Sequence, residues 1–305
     1  MKPYLIINPT AAYGKMRERW RTIEPILREE HFAFDSVFTE YHLHAIELTR
    51  AAIRAGYDLI VSVGGDGTLN EVVNGLFDEA GALINPEVVV GVIPSGTGGD
   101  FFRTANIPRD PIVAARQLIH ATQTRVIDLG EMIFERDGKT TRRFFANAAG
   151  IGFDAQVAQR VEERGKHIGG TIPYYTALIE TIWKYRNQDA VLRFENEIVE
   201  GRFNDIIVCN GKFLGGGMQV SPHSRLDDGI LEVITIGDMG HVEVVLNTPR
   251  LYNGTILEHP KVREYHVRTV TIEPRQTMMS EADGELIGPG PVTFHVRPAT
   301  LRLRV

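Results

Sequence analysis

The residues best suited to chemistry in this chain form the run Ser62-Val63-Gly64-Gly65-Asp66-Gly67-Thr68-Leu69-Asn70-Glu71, where the apolar stretch Leu59 to Val63 gives way to glycines and hydroxyls. Three glycines within four positions let the backbone take positive φ and come close to a ligand. The helix expected to follow offers free amides and a positive dipole end to an anion. The chemistry implied is phosphate binding. Asp66 would stand beside the phosphates, where a carboxylate is tolerable when a divalent cation offsets its charge. A tight structural turn is the alternative reading of an isolated Gly-Gly-Asp-Gly.

Two familiar nucleotide loops are excluded. Asn70 stands where a dinucleotide fingerprint needs its third glycine, and no Gly-Lys pair carries the flanking residues of a Walker loop. Zinc chemistry is also disfavoured, because His42, His44, His223, His241 and His266 lack metal-ligand spacing. The single cysteine, Cys209, rules out an intramolecular disulfide and a thiolate cluster, which favours a cytoplasmic chain. A formal charge of −6 opposes nucleic-acid binding. No run of 18 apolar residues occurs, so any membrane contact is expected to be peripheral.

The elements that must position the loop follow from periodicity. Tyr4 to Ile7 reads as a buried strand, followed past Gly14-Lys15 by helical spacing at Trp20, Ile23 and Leu27. Strand Phe34 to Thr39 with helix Ala45 to Ala55, and strand Asp58 to Val63 with helix Thr68 to Phe77, repeat that unit. Val88 to Ile93 makes a fourth strand. Such continuously apolar strands suit a parallel sheet covered on both faces, with ligand loops gathered at the strands' carboxyl ends. Thr39, Gly64 to Asn70 and Pro94 to Asp100 would share that edge. Asp110-Pro111 opens another helix. Beyond residue 129 the chain turns strand-rich, beginning with a hairpin around Asp137-Gly138 and interrupted by helices near Ala155 to Glu163 and Tyr174 to Trp183. The expected architecture is a Rossmann-like α/β domain, residues 1–128, followed by an antiparallel β-sandwich, residues 129–305.

Four stretches together resemble the diacylglycerol kinase catalytic-domain family, soluble bacterial lipid kinases related to sphingosine kinases and more distantly to NAD kinases. They are Asn8-Pro9-Thr10-Ala11-Ala12-Tyr13-Gly14-Lys15; Gly64 to Leu76, the most specific; Pro94-Ser95-Gly96-Thr97-Gly98-Gly99-Asp100-Phe101; and Ser221-Pro222 with Leu226-Asp227-Asp228-Gly229 and a late Asp283-Gly284-Glu285. Two departures stand out: Gly99 replaces an asparagine usual in the family, and Ala11-Ala12 stands where Ser-Gly is common.

The resemblance implies ATP-dependent phosphorylation of a lipid hydroxyl, with the lipid entering the cleft between the domains. Asn8, Pro9, Thr10, Ala11, Ala12, Thr39, Gly64, Gly65, Asp66, Gly67, Thr68, Leu69, Asn70 and Thr97 would hold ATP. Asp66, Asp100 and Asp128 would surround a catalytic Mg²⁺, partly through water; a solvated strand end is the other reading of Asp128. Glu285 would be the general base, although Asp283-Gly284-Glu285 also reads as a plain turn. A structural Mg²⁺ would take Asp228 and the carbonyls of Arg225 and Ile230; without the resemblance, Asp227-Asp228-Gly229 reads as a β-turn. Phe101, Phe102, Phe213, Leu214 and Met218 belong either to an acyl channel or to core packing. Arg160, Arg164, Lys166 and His167 form a basic cluster, either a solvated helix face or a contact for anionic headgroups at about 1 kcal/mol per residue.

The expected product is phosphatidic acid or an analogue, made transiently at the inner face of the membrane, with no nucleic-acid partner. Two rivals remain on sequence alone: a kinase of a soluble acceptor, as NAD kinases are, and a nucleotide-binding regulator without catalysis. The sequence does not fix the oligomeric state, and a homodimer is compatible with it.

Overall fold

The computed structural model describes residues 1–12, 14–96, 98–163 and 172–305, with the side chains of 172–175 excepted. The chain divides into two compact units, Met1–Leu129 with Pro298–Val305, and Gly130–Arg297. The last eight residues, expected from sequence to lie in the second domain, thus belong with the first.

In the first unit β1 (Pro3–Ile7), α1 (Met16–Glu29), β2 (Asp35–Phe38), α2 (His44–Arg54), β3 (Leu59–Gly64), α3 (Asp66–Gly75) and β4 (Val89–Pro94) alternate as read from periodicity. Next come α4 (Asp100–Ala105), α5 (Pro111–His120) and β5 (Thr124–Arg136), within which the chain passes into the second unit. β1 pairs in parallel with both β2 and β3, and β3 with β4. Met16, Trp20, Ile23 and Leu27 form one buried stripe of α1, packed with Leu5, Ile7, Val61, Val63 and Ile93.

The helix start predicted at Asp110 is made as its chemistry requires. Asp110 Oδ1 accepts from the amides of Ile112 (2.9 Å) and Val113 (3.0 Å), and Pro111 occupies the first helical position. Asp110→Ala is expected to lower the unfolding free energy by about 1 kcal/mol, read from urea denaturation.

The second unit holds β6 (Lys139–Phe145), β7 (Ala148–Gly152), α6 (Phe153–Glu163), α7 (Ile172–Lys184), β8 (Gln188–Phe194), β9 (Ile198–Cys209), β10 (Leu231–Gly237), α8 (His241–Asn253), β11 (Val262–Val267), β12 (Thr269–Pro274), β13 (Met279–Ala282), β14 (Glu285–Pro289) and most of β15 (Val292–Arg304). All strand pairs within it are antiparallel among the described residues. The first half of β9 pairs with β8 and its second half with β7. One long strand therefore serves both layers of the sandwich, which close over Phe145, Ile151, Leu192, Ile206, Val233 and Phe294.

The end of β15 returns to the first unit, where Arg302 and Leu303 pair in parallel with Val89 and Val90. Arg304 then donates to the carbonyls of Leu118 (2.7 Å) and Ile119 (3.2 Å), capping the C-terminal end of α5.

Candidate functional site

The strand order β15-β4-β3-β1-β2 determines where the first unit can bind a ligand. From β1 the chain moves to one side, into β2, and then to the other, into β3. The loops leaving β1 and β3 therefore diverge at the carboxyl ends of neighbouring strands, which is the switch point where open parallel sheets bind ligands. Asn8 and Gly64–Gly67 occupy it. Asn8 N donates to Val63 O (3.1 Å), and its amide Nδ2 donates to Thr68 Oγ1 (3.0 Å). Asn8 Oδ1 accepts from Thr10 N (3.0 Å) and Thr10 Oγ (2.7 Å), which shapes the turn after β1.

The glycines are dictated by contacts. A Cβ on Gly64 would lie 2.4 Å from Thr68 Oγ1, and one on Gly96 would lie 2.7 Å from Gly65 Cα, so the two loops meet backbone to backbone. Ser95 N donates to Gly64 O (2.7 Å) and Gly99 N to Asp66 Oδ2 (2.8 Å), holding the loop after β4 against the start of α3. α3 begins on Gly65 with no side-chain cap, which leaves the Gly67 and Thr68 amides of its first turn to face an incoming anion. Gly65, Asp66 and Gly67 are half-buried, whereas Thr68, Leu69 and Asn70 are buried. The open rim is thus shorter than the predicted Gly64–Asn70. Leu69 and Asn70 serve the interior; Asn74 Nδ2 donates to Asn70 O (2.8 Å), and Glu71 Oε2 accepts from Ala45 N (3.0 Å) at the start of α2.

The two departures from the family pattern differ in their backbone consequences. Gly99 has φ +73°, a left-handed conformation that asparagine and glycine tolerate best, so the exchange keeps the turn and loses only the amide side chain. Ala12 has φ +55°, which is strained for alanine. Ala12→Gly should relieve about 1–2 kcal/mol of that strain against roughly 0.5–1 kcal/mol of added chain entropy, for a net gain of up to about 1 kcal/mol in thermal or urea unfolding.

The remaining ATP residues read from sequence lie at the same strand ends. Thr39 is buried just past β2, with its amide on Ile7 O (2.9 Å); Pro9 and Ala11 are half-buried and Thr10 exposed in the turn after β1. Thr97 lies outside the described residues, as do Arg164, Lys166 and His167 of the basic cluster. Arg160 of that cluster donates to Thr181 Oγ1 (2.8 Å).

The three aspartates read as a magnesium cluster have separate local partners. Asp66 receives the Gly99 amide, Asp100 lies 4.0 Å from Arg103 Nε, and Asp128 Oδ1 accepts from Ala299 N (2.7 Å). Asp128 is buried rather than a solvated strand end. Among the described residues no three His, Cys, Asp or Glu side chains are grouped to hold a metal ion, so these carboxylates are not a ready-made cage. Asp66, beside the close Gly65–Gly96 approach and 3.1 Å from where a Cβ on Gly98 would lie, still fits a nucleotide-bound Mg²⁺, which takes few protein ligands beside phosphate and water.

In the second unit, Asp283-Gly284 forms the tip of the β13–β14 hairpin, with positive φ at both residues (49° and 83°) and Ala282 paired with Glu285. Both readings of this tripeptide therefore survive, because it is a turn and it presents Glu285 immediately after that turn. Asp283 locks it. Its Oδ2 accepts from Ala146 N (2.9 Å), and its Oδ1 accepts from Asn147 N (3.0 Å) and Ala148 N (3.1 Å). Beside it lies Asn147, not singled out from sequence, whose buried Oδ1 has no hydrogen-bond partner among the described residues while its Nδ2 donates to Phe213 O (2.9 Å). The signal available was the small-residue run Ala148-Ala149-Gly150, which leaves room beside a polar side chain.

The loop read as a second metal site closes as a turn: Asp228 Oδ1 accepts from Ile230 N (3.1 Å), and Arg225 Nε lies 3.7 Å from Asp227. Phe101 and Phe102 are fully buried, and Leu214 and Met218 pack against the cluster of Ile207, Val220 and Ile234. Core packing accounts for all four.

A parallel switch-point cradle followed by a strand-rich unit defines the class, and comparison with known proteins supplies the family. The family model for the diacylglycerol kinase catalytic domain matches residues 2–132, and that for the YegS C-terminal NAD kinase beta sandwich-like domain matches residues 147–305. The chain belongs to the diacylglycerol kinase family and is a kinase of that family. Diacylglycerol kinase of Staphylococcus haemolyticus is 28% identical over 295 residues, covering 95% of this chain and 84% of that protein. That of Staphylococcus carnosus is 27% identical, covering 95% and 90%. Among solved structures, a diacylglycerol kinase from Bacillus anthracis superposes with a TM-score of 0.72 at 20% identity, covering 99% of this chain and 96% of that one. Yeast NADH kinase superposes with a TM-score of 0.54 at 11% identity, covering 99% and 82%, and shares the fold. No described helix is long and apolar enough to cross a membrane.

Proposed function

We propose that this kinase transfers the γ-phosphoryl group of ATP, with Mg²⁺, to a hydroxyl of diacylglycerol or a related lipid, acting at the cytoplasmic face of a membrane that it touches only peripherally. The observation that carries the nucleotide half is the backbone-on-backbone meeting of Gly65 and Gly96 at the switch point, which favours close approach of a phosphate to main-chain amides and short polar side chains. ATP with its magnesium supplies the electrophilic phosphorus and neutralises the charge that builds on it. The chain's own residues position and deprotonate: the Gly65–Thr68 turn and Asn8–Thr10 would hold phosphate oxygens, Asp66 would help hold the cation, and Glu285 would take the acceptor hydroxyl's proton. The lipid acceptor rests on the names of the relatives and on the Pro94–Asp100 and Asp283–Glu285 motifs.

The test is incubation with γ-labelled ATP and a panel of lipid extracts. Label in an organic-extractable product supports the lipid reading. Label in a water-soluble product moves the assignment to a soluble acceptor, and binding of ATP without transfer makes the protein a nucleotide-binding regulator.

A further inference from the structure

Beneath the Asp283–Gly284 turn lie three carboxyl groups that neither the cradle nor the proposed base uses. Asp154 sits in the first turn of α6, Asp205 in β9 and Glu281 in β13. β7 runs between β13 and β9, with Gly150 opposite Glu281 and Gly152 opposite Asp205. Both glycines are on one face of β7, and both make room for acid. A Cβ on Gly150 would overlap the Asp154 carboxylate, and one on Gly152 would lie 3.1 Å from Asp205 Oδ1 and 3.1 Å from the Tyr185 hydroxyl.

Asp205 and Glu281 are buried, and although Asp154 is half-buried as a residue, its Oδ2 is out of reach of solvent. As ionised groups the three leave Asp154 Oδ2, Asp205 Oδ1 and Glu281 Oε1 without donors, beside an equally unpartnered Tyr185 hydroxyl. No lysine, arginine or histidine among the described residues pairs with them. The titratable groups facing the cluster are Tyr185 after α7, Asp283 in the turn and the buried Cys209 thiol on the same face of β9 as Asp205, none of them a cation.

Three buried like charges without a counter-ion are untenable, and protons resolve them. Burial is the largest cause raising all three: Asp154 goes to about 6, and Asp205 and Glu281 go well above the usual carboxyl range. Asp154 then accepts hydrogen bonds from protonated Asp205 and Glu281, and the orphaned oxygens find partners. Glu281 has a second attachment, since its Oε2 accepts from Gly284 N at 2.5 Å, one residue before Glu285.

We propose that Glu281 is a positioning residue for Glu285: its proton-sharing contact with Asp154 and Asp205 braces the Asp283–Glu285 turn from below, and loss of the shared protons loosens it. The proposal rests on Glu285 being the base. On the other side the turn is already fixed by Asp283 to the amides of Ala146–Ala148, so Glu281 supplies the second point of a two-point clamp.

The sign of the pH effect follows from the raised values. The folded protein keeps protons that the unfolded chain gives up near the ordinary carboxyl range, about 4, so stability falls as pH rises from there through 6 and above. The wild-type Tm should therefore decline from mildly acidic to alkaline pH, and Glu281→Gln should decline less.

The experiment measures kcat and KM for ATP from neutral to alkaline pH in wild type, Glu281→Gln and Glu281→Ala. Glutamine can accept from Gly284 and donate to Asp154 at every pH, so Glu281→Gln should hold wild-type kcat at neutral pH and lose the alkaline fall. Glu281→Ala should lose roughly 10²-fold in kcat with KM for ATP unchanged, the scale of a misplaced catalytic group. An alkaline fall identical in Glu281→Gln and wild type, or an unchanged kcat in Glu281→Ala, overturns the proposal.

Two readouts need no substrate and separate this proposal from the kinase reading. The infrared spectrum at neutral pH should show a protonated carboxyl C=O band that weakens in Asp205→Asn and Glu281→Gln, and exchange of the Gly284 amide should quicken in Glu281→Ala. Absence of that band in wild type, as ionised groups holding a cation would give, removes the brace whatever the enzyme phosphorylates. If both readouts appear and no lipid is phosphorylated, the brace stands as a structural device and its role in positioning a lipid-kinase base is overturned.

Discussion

Glu285→Gln is expected to lower turnover by about 10²–10⁴-fold, the contribution of a positioned general base, while nucleotide affinity stays near that of the parent chain. The two parameters separate because the residues assigned to phosphate lie in Met1–Leu129 and Glu285 lies in Gly130–Arg297. Glutamine retains the size and the hydrogen-bonding reach of glutamate but cannot take a proton from an alcohol. The hairpin should persist, since its geometry is held by Asp283 and Gly284 rather than by residue 285. Calorimetric titration with ATP alongside initial rates in the lipid assay reads both quantities. Near-normal turnover would remove Glu285 as the base, and a parallel loss of ATP affinity would mean that the substitution had damaged more than the proton transfer.

Gly96→Ala should weaken ATP binding roughly 10- to 100-fold, on the scale of the 1–3 kcal/mol that a buried methyl forced into a packed contact costs. The added methyl carbon would meet Gly65 Cα at 2.7 Å. Backbone faces backbone there, so no side chain can rotate out of the way, and the loop after β4 must move off the first turn of α3. Gly240→Ala is the control: its Cβ would meet nothing within 4 Å and its φ is −75°, so ATP affinity should not change. Equal affinity in the Gly96 variant and the parent would sink the cradle as the nucleotide site.

What the sequence disclosed and what it withheld divide along physical lines. β1, β3 and β4 were legible because each is a short, largely apolar run ended by a turn signal, and α1 because its four buried side chains recur at helical spacing. α8 was not, because no residue of it is fully buried, Pro249 interrupts it, and its inward side shows only Val244 and Leu251 around polar Asn247 and Thr248. The extent of the cradle was overread: glycines and threonines look alike on paper, but Thr68 is buried under Asn8 and Gly64 whereas Gly65 and Gly67 are only half-buried. Asp154, Asp205 and Glu281 carry no local signature, since only the pairing of β13, β7 and β9 brings them together. Asp128 looked like a strand end because its partner, the Ala299 amide, is distant in sequence.

The return of residues 298–305 to the first unit bears on how the protein is made. During synthesis the strand that borders β4 is made only after the whole of the second unit, so the first unit waits, with an open sheet edge, until that unit has been translated. A fragment ending at residue 129 would keep that edge exposed and lose the arginine that caps α5. Attempts to study nucleotide binding on a minimal domain would do better to splice the closing strand back on than to cut at the apparent boundary.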